Sequence, residues 1–502
     1  MSTLLVEGGH VLTDDGAALR RADVLVRDGA IVAVDVSPLT PPGCERLDAA
    51  GGLVIPGLVN GHTHGHGALA RGAVPDRIAL EGFLAHGSAL LGQRTLADLQ
   101  LSTTLSAVEL LRRGCTACID MAAQLPAPTV AGLLAIGQAY ADAGLRAVVA
   151  PMVSDRTLYE AYPALAAALP PELQAQLAVL RPPPAEALLD VLREAQRAWP
   201  FDRERVQLGV GPAIPLHCSD ALLAGCGELS AQFGVPLQTH LLESKLQALA
   251  QDPGESTVQR LQRLGCLTPR TSLAHGVWLD ADDMARIAAA GATVVHNPMS
   301  NLRLGSGVAP LRALLRAGVQ VAIGSDASNT SDGQNLFESA RLAAYLSRLG
   351  APDWDDWIDA QEAFALATRG AARAFGLEGR MGRIAAGQAA DLVVLDLGQP
   401  HFTPLRHPVR QLVFGENGSG VRAIVVDGRV RVAQGRIPGI DEAALRVRAQ
   451  DRAAALDLAC TPAASLATAA MPALRAFCCG GQLAPLGLHR QGFRPDTPAD
   501  FP

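Results

Sequence analysis

The sequence predicts an α/β fold in which a (β/α)8 TIM-like barrel is joined to a small β-sandwich domain built from both ends of the chain. Three observations support this prediction. The chain has 502 residues, of which 49% are apolar and 18% are charged, so it can bury a sizeable core. Strand-like and helix-like patterns alternate through its middle, which is typical of parallel strands joined by crossover helices. Strand-rich stretches stand at both ends.

The predicted β-sandwich comprises residues 1–56 and 378–440. Early strands are expected at residues 4–7, 22–26 and 30–34, separated by turns at Asp14-Asp15-Gly16 and Asp28-Gly29. An Asp-Gly pair between two alternating apolar runs is a hairpin signal. The same texture returns at residues 391–395 and 421–430, which indicates that the two ends of the chain share one sandwich.

Residues 57–377 are predicted to form the barrel. Its strands are expected at residues 54–60, 116–121, 147–152, 206–210, 236–239, 271–274, 292–295 and 319–323. The first of these is an apolar run that reads as one buried strand. Helices are expected between the strands, for example at residues 99–112 and 280–290. The second of these helices opens with acidic residues, which favour a helix N-terminus.

Two segments outside this alternation have no predicted chemistry. The Pro-rich span 169–184 follows the third strand and is interpreted as a long connection, with an active-site lid as the alternative. Residues 441–502 form a helical or irregular extension. We expect this extension to pack on the barrel exterior or on a neighbouring subunit.

Histidine and carboxylate side chains recur at the carboxyl ends of the predicted strands. His62 and His64 alternate along the chain, so both imidazoles can point the same way. His240, His275 and Asp326 each follow a later apolar run. Because the carboxyl ends of barrel strands share one rim, these residues can meet although long stretches of chain separate them. A His-x-His pair by itself is equally compatible with two polar residues at a strand end, but the other motifs favour a metal site.

Taken together and in this order, these motifs resemble the amidohydrolase superfamily, within it the aminohydrolases that include cytosine deaminase, guanine deaminase, adenosine-type deaminases and the triazine hydrolases. The resemblance extends to about residue 437. It implies one divalent metal ion with four ligands, namely His62, His64, His240 and Asp326. It also implies that Glu243 and His275 handle protons and polarise the attacking water.

The implied ligand set defines the metal chemistry. Three imidazoles and one carboxylate suit zinc, with divalent iron, manganese or cobalt as alternatives, and leave a position for water. Such an ion lowers the pKa of its water from about 15.7 to near 7, and Asp326 is placed to take the proton. Binuclear members of the superfamily bridge two metals with a carboxylated lysine after the fourth strand. The only lysine here is Lys245, elsewhere in the chain, so one ion per chain is expected.

Glu243 indicates deamination. It follows His240 at i+3, just past the fifth strand, so its carboxyl can face a substrate above the metal. A general acid there would protonate a ring nitrogen while hydroxide adds to the adjacent carbon, and would later help ammonia to leave. Considered alone, Glu243 would be a solvated carboxylate at a helix start. Its spacing from His240 favours catalysis.

Four further residues are expected to contact the substrate: His217 after the fourth strand, Asn297 after the seventh, Gln238 in the fifth and Arg71 past the first. Three of them have an alternative role. His217 could be a loop histidine bonded to backbone, and Asn297 could order the loop after the eighth strand. Arg71 could form a salt bridge to Asp76 or Glu81 instead of meeting a polar ring substituent.

The sequence therefore predicts a metal-dependent deaminase that releases ammonia from an aminated purine, pyrimidine, pterin or triazine after hydroxide attack on a ring carbon. Two alternatives stay open. The same site could expel an alkylamine or chloride from a triazine-like ring, or the barrel could be a non-catalytic binding scaffold. A scaffold would be expected to have lost ligands, and all of them are present.

Charge and composition bound the partners. The formal net charge is −7 with no basic cluster, so neither nucleic acid nor a membrane surface is an expected partner, and a small neutral or cationic substrate is. The first residues lack a basic region and a long apolar stretch, and the nine cysteines are scattered, so a cytoplasmic enzyme is expected. The resemblance implies a homodimer or larger homo-oligomer.

Overall fold

The computed structural model describes residues 2–12, 18–36 and 42–491. The expected Asp14-Asp15-Gly16 turn lies outside these residues. The strands in this part of the chain are β1 Thr3–Leu12, β2 Leu19–Arg27, β3 Ala30–Asp35, β4 Glu45–Asp48, β5 Gly52–Pro56, β6 Leu58–His64, β7 Cys115–Ala122, β8 Arg146–Val153, β9 Val206–Leu208, β10 Gly211–Pro212, β11 Leu237–Leu241, β12 Thr271–His275, β13 Thr293–His296, β14 Gln320–Ile323, β15 Asp326–Ala327, β16 Leu392–Asp396, β17 Val421–Val426 and β18 Arg429–Ala433.

Helices connect the strands and follow the last of them. The α-helices are α1 Leu80–Ala89, α2 Leu96–Arg112, α3 Val130–Ala143, α4 Leu158–Ala161, α5 Pro163–Ala167, α6 Pro171–Ala178, α7 Ala185–Ala198, α8 Asp220–Phe233, α9 Lys245–Leu249, α10 Thr257–Arg263, α11 Ala281–Ala290, α12 Pro298–Arg303, α13 Leu311–Arg316, α14 Leu336–Gly350, α15 Ala360–Ala365, α16 Ala371–Ala374, α17 Pro408–Gly415, α18 Glu442–Ala459 and α19 Thr461–Leu483. Predicted helix starts shift by a few residues because capping side chains set them. The helix predicted from residue 99 begins at Leu96, after a capping box between Thr95 and Asp98.

The parallel strands form a TIM-barrel-like α/β fold, as predicted. Strands β15, β6, β7, β8 and β10 pair in that order, and β11 to β14 form a second run. A parallel bridge between Val210 and Leu237 links the two runs. The eighth position is shared by β14 and β15, and β15 pairs with β6 in the first position. All carboxyl ends therefore lie on one rim.

The apolar run before the His-x-His pair is two strands, so its prediction as one strand was wrong. β5 belongs to a different sheet from β6. Gly57 separates them, and a Cβ at this position would lie 2.1 Å from Thr116 Oγ1. The chain can make this close approach only with glycine. In consequence His62 and His64 are the last inward residues of β6 itself.

A second sheet unites both ends of the chain. Its strand order is β18-β17-β16-β5-β1-β2-β3, with β4 paired to β1. Asp28 and Gly29 both adopt left-handed φ angles, 44° and 83°, and form the predicted hairpin between β2 and β3. Val54 joins an apolar cluster within this sheet domain, whereas Leu53 and Ile55 join the main core. The strands belong to one hydrogen-bonded sheet, so the two-layer sandwich stays a prediction.

The C-terminal extension divides into two parts. α18 packs against the outer helix α2, on the barrel exterior as expected. α19 instead packs on α1 and α9, which follow the first and fifth barrel strands. By length and composition alone α19 could cross a membrane, and 22% of its most apolar window is buried. Its contacts with α1 and α9 place it on the active-site rim.

Asp98 ties α18 to α2. Arg452 in α18 donates two hydrogen bonds to its carboxylate, at 2.7 and 2.8 Å, and Thr95 completes a capping box with it. Burial alone would raise the pKa of Asp98. The hydrogen bonds from Arg452 and Thr95, with the charge of Arg452, outweigh burial and lower this pKa to about 2.

Replacing Asp98 with asparagine should destabilise the protein in a pH-dependent way. An unfolded aspartate has a pKa of about 3.9, so the stabilisation is complete above about pH 4 and is lost as the pH falls towards 2. We expect Asp98→Asn to lower the free energy of unfolding at pH 7 by about 1 to 2 kcal/mol, because solvent screens the partly exposed Arg452. Urea midpoints of the variant and of wild type should converge as the pH falls from about 4 to about 2. Asp142→Asn, on an exposed helix face, is the control, and a gap independent of pH would contradict the argument.

Candidate metal and active site

Three imidazoles converge at the centre of the barrel rim, and a hydrogen bond at Nδ1 fixes the orientation of each ring. Their Nδ1–H groups donate to oxygen atoms at 2.5 to 2.8 Å: His62 to Gln238 Oε1, His64 to the Met121 carbonyl and His240 to the Ala213 carbonyl. A donated Nδ1 proton leaves the Nε2 lone pair free. All three rings therefore present a ligand atom to the same point.

The central atoms are arranged for a cation. His64 Nε2 and His240 Nε2 lie 3.2 Å apart, and Asp326 Oδ1 lies 3.3 Å from His64 Nε2 and 3.6 Å from His62 Nε2. Two lone pairs cannot bond each other, and His62 Nε2 is buried without a partner in the described part of the chain. Ligands about 2.0 to 2.1 Å from one tetrahedral zinc are about 3.3 Å apart. The residues present thus fit a zinc-sized ion.

The pKa shifts of His240 and Asp326 agree with this fit. Burial lowers the pKa of His240 well below its ordinary value, and the neighbouring imidazoles lower it further. For Asp326, burial would raise the pKa, but the imidazoles of His62 and His64 beside its carboxylate hold the pKa well below the usual range. A neutral imidazole and an ionised carboxylate are the states that bind a divalent ion.

His275 lies beside this cluster and faces two carboxyls. Its Nε2 is 3.5 Å from Glu243 Oε2 and 3.8 Å from Asp326 Oδ2, and its Nδ1–H donates to Asn301 Oδ1 at 2.8 Å. Burial lowers the pKa of His275 to about 4. His275 is therefore neutral at pH 7, with the Nε2 lone pair towards the space between Glu243 and Asp326.

Glu243 is buried, with 2% of its surface exposed, which contradicts the solvated alternative. Ser306 Oγ lies 3.5 Å from its Oε1. Burial raises the pKa of Glu243 well above its ordinary value, and the charges of Asp326 and Glu81 raise it further. This upward shift of the pKa favours the protonated form of Glu243, which is the form that a general acid needs.

Backbone strain is concentrated at these strand ends. Leu242, His275 and Asp326 have φ angles of 45°, 75° and 60°, in the left-handed region that non-glycine residues rarely adopt. Such residues cost of order 1 to 3 kcal/mol each and cluster at functional sites. The surrounding barrel holds the side chains of His275 and Asp326 inward at this cost.

Two of the four residues expected to contact substrate, Gln238 and Arg71, form contacts with other protein side chains. The side-chain amide of Gln238 makes its hydrogen bonds behind the metal cluster. Its Oε1 accepts from His62 Nδ1–H, and its Nε2 donates to the Gly61 carbonyl and to Ser272 Oγ. Arg71 forms an ion pair with Glu109, a partner that the sequence had not indicated. Gln238 in β11 thus hydrogen-bonds to groups of β6 and β12, and Arg71 pairs with Glu109 of α2, while the predicted substrate contacts of both residues stay predictions.

The other two residues are buried. His217 is 8% exposed, its Nε2 has no hydrogen-bond partner in the described residues, and its ring meets the edge of Tyr162 with centroids 6.4 Å apart. Burial lowers the pKa of His217 to about 4. Asn297 is fully buried against Gly324, beside the backbone of His62. This position agrees with the alternative that Asn297 orders the loop after the eighth strand.

Sequence reasoning missed three supporting residues. Asn60 is buried in β6 and exchanges hydrogen bonds with Ser325, one residue before Asp326. An asparagine inside an apolar run was a usable signal, because a buried amide needs partners. Asn301 orients His275, and Glu81 of α1 accepts a hydrogen bond from Ser244. Glu81 lies outside every motif, so its position gave no signal.

Known proteins are similar to this chain in sequence and in fold. The sequence model of the Amidohydrolase family matches residues 53–431. The 5-methylthioadenosine/S-adenosylhomocysteine deaminase of Haloarcula marismortui is 33% identical over 461 residues, which cover 91% of this chain and 99% of the relative. The enzyme of the same name from Thermococcus kodakarensis is 30% identical over 430 residues, covering 85% of this chain and 93% of the relative.

Two solved structures are similar throughout. An adenosine deaminase from Xanthomonas campestris with bound zinc has a TM-score of 0.79 at 27% identity and covers 90% of this chain and 99% of its own. An atrazine chlorohydrolase variant from Arthrobacter aurescens, complexed with zinc and atraton, has a TM-score of 0.80 at 25% identity, with 90% and 100% covered.

Fold, site and relatives together define a metal-dependent hydrolase of carbon–nitrogen bonds other than peptide bonds. The chain belongs to the amidohydrolase family, in its metal-dependent aminohydrolase branch, as the motifs predicted. Hydrolytic deamination of an aminated nitrogen heterocycle is confirmed as its class of reaction. One divalent metal ion serves this reaction, and zinc is the ion in both solved relatives.

Proposed function

We propose that the protein removes an exocyclic amino group from a purine-type heterocycle and releases ammonia. The observation that carries this proposal is the buried Glu243 carboxyl, which lies 3.5 Å from His275 Nε2 beside the imidazole cluster and whose pKa is raised by burial. The names of the relatives, deaminases of adenosine derivatives, favour an aminopurine over the pyrimidine, pterin and triazine candidates.

In this proposal one divalent ion is held by four side chains: His62, His64, His240 and Asp326. When bound, the ion supplies hydroxide at neutral pH. Asp326 accepts the proton that the attacking water loses. Gln238, through His62, keeps one ligand in the required tautomer.

Glu243 donates its proton to the ring nitrogen beside the attacked carbon, which makes that carbon more electrophilic. His275 is neutral and accepts a hydrogen bond at Nε2, so it orients the attacking water between Glu243 and Asp326. The proton taken by Asp326 then passes to the amino group, which leaves as ammonia, while the proton of the added hydroxyl returns to Glu243 and leaves a carbonyl oxygen on the ring. Overall the ring exchanges an amino group for a carbonyl oxygen, with one water consumed. His217 and Asn297 are proposed to border the substrate.

The organisation around the site is also proposed here. We assign residues 1–56 and 378–440 to a β-sandwich domain, residues 57–377 to the barrel and residues 441–502 to the extension. The apolar cluster within the terminal sheet supports the sandwich, because a curved sheet with its own core can close on itself. The family resemblance supports a cytoplasmic homodimer or larger homo-oligomer.

Ammonia release by the zinc-loaded protein tests the function. The panel should contain adenine, adenosine derivatives, cytosine, aminopterins and aminotriazines, together with chloro- and alkylamino-triazines. We expect ammonia from an aminopurine. Chloride or alkylamine release without ammonia would favour the alternative leaving groups, as the chlorohydrolase likeness suggests. A loaded protein that transforms no member of the panel would contradict the proposal.

A further inference from the structure

Glu81, in the first turn of α1, is a buried carboxylate beside the proposed proton donor. The residue is 2% exposed, and Ser244 Oγ donates to its Oε1 at 2.5 Å. Tyr162 Oη lies 3.5 Å from the same oxygen, and Cys478 Sγ lies 3.7 Å from Oε2. All three neighbours are neutral donors. Among the described residues, no cationic side chain pairs with Glu81.

The carboxylate of Glu81 keeps unused acceptor capacity. An ionised carboxylate can accept about four hydrogen bonds. Only the Ser244 contact is within the usual O–H···O range of about 2.5 to 3.0 Å, because the Tyr162 hydroxyl is too distant for a strong bond. A buried carboxylate without a cation is costly, and burial accordingly raises the pKa of Glu81. An incoming N–H donor or cationic nitrogen would relieve this cost.

Glu81 lies close to Glu243. Ser244, which bonds Glu81, is the next residue along the chain after Glu243. The charge of Glu81 is close enough to contribute to the raised pKa of Glu243. The hydrogen bond through Ser244 therefore connects Glu81 of α1 to the segment after β11 that carries Glu243.

The extension forms the outer wall behind Glu81. α19 shares an apolar cluster with α4 to α6 and α9, whose buried members are Ala161, Tyr162, Leu165, Leu169, Leu173, Leu177, Leu246, Ala470, Leu474 and Cys478. Tyr162 in this cluster meets the ring of Phe477, with centroids 5.4 Å apart, and that of His217 at 6.4 Å. The Pro-rich span thus helps to enclose the rim.

Hydrogen bonds fix the extension to the catalytic loops. Lys245 Nζ, two residues past Glu243, donates to the Gln482 carbonyl at 2.8 Å. Arg490 Nε donates to the Val277 carbonyl, two residues past His275, at 2.9 Å. These bonds hold α19 in place over the rim, so the position of Cys478 against Glu81 is defined.

We propose that Glu81 is a specificity-determining residue that accepts a hydrogen bond from a substrate nitrogen other than the leaving amino group. This inference rests on the proposed function and narrows its substrate class. The preferred heterocycle carries a second N–H donor, such as another amino group, or a protonated ring nitrogen. The network of Ser244, Tyr162 and Cys478 holds the Glu81 carboxylate in position for that donor.

The test uses pairs of heterocycles that differ only in one amino group that does not leave, for example 2,6-diaminopurine and adenine. Wild type should prefer the diamino member. In Glu81→Gln we expect kcat/KM for the diamino member to fall about tenfold, chiefly through KM, because a charged acceptor is replaced by a neutral one. The monoamino member should change by less than about threefold. Glu172→Gln, an exposed carboxylate of α6, is the matched control.

Glu81→Asp keeps the negative charge but shortens the side chain by one methylene group. It should also lose the preference for the diamino heterocycle. This variant replaces Glu81→Gln in the test if Glu81→Gln does not fold. Calorimetry of the paired heterocycles binding to Glu243→Gln, with and without Glu81→Gln, measures the preference for the diamino member in the absence of turnover. An unchanged preference, or an equal loss for both members, would overturn the role of Glu81. If the diamino heterocycle binds selectively in a way that depends on Glu81, but wild type releases no ammonia, only the proposed function is contradicted. No binding by any pair would overturn both.

Discussion

Replacing Glu243 with glutamine is expected to lower kcat by about 10² to 10⁴ and to leave the metal content unchanged. The carboxamide keeps the shape of the side chain but cannot deliver a proton to the ring nitrogen. Glu243 is not among the four proposed ligands, so the ion should stay bound. Ammonia release under substrate saturation and metal analysis of the same sample measure the two effects.

The matched control for this variant is Glu228→Gln, which removes an exposed carboxylate on α8. It should keep wild-type turnover. Undiminished ammonia release by Glu243→Gln would refute the general-acid role. Loss of the metal together with activity would instead make Glu243 part of the metal site.

Replacing His240 with alanine is expected to abolish activity through loss of the metal. His240 Nε2 lies 3.2 Å from His64 Nε2 at the centre of the cluster, and its removal opens one of four ligand positions. Loss of a residue that only orients a ligand typically costs about 10- to 100-fold in metal affinity or activity, so loss of a ligand should cost more. Metal content after gel filtration, with turnover, checks this expectation.

His489→Ala is the control for the ligand variant, since His489 is exposed. It should retain both the ion and the activity. A His240→Ala protein that kept its ion at wild-type affinity would remove His240 from the ligand set. Activity restored by excess zinc would still agree with a weakened site.

The positions that sequence could predict are those fixed by local rules. Strand periodicity predicted the bounds of β7 and β12 to within a residue or two. The rule that the carboxyl ends of barrel strands share one rim predicted that His62, His240 and Asp326 lie together. These predictions need only the direction of a strand and the fact that eight strands share a rim.

What could not be predicted depends on contacts between distant segments. Gln238 looked like a pocket residue, yet its neighbours across the barrel, Gly61 and Ser272, turn its amide to His62. Arg71 pairs with Glu109 because of how α2 packs on the loop after β6. No local pattern encodes either contact.

The C-terminal extension shows the same limit most clearly. Its composition indicated exterior packing, and α18 packs that way. α19 lies over the rim because its apolar side finds Tyr162 and Leu246 there, on elements hundreds of residues earlier in the chain. Sequence periodicity describes which face of a helix is apolar but not which surface that face will cover.

The central claim is that one divalent ion sits among His62, His64, His240 and Asp326 and drives the deamination. Metal analysis of the purified wild-type protein, titrated with zinc while ammonia release is followed, tests it most directly. The account predicts that activity rises linearly and saturates at one ion per chain. Saturation at two ions per chain, or full turnover by metal-free protein, would contradict it.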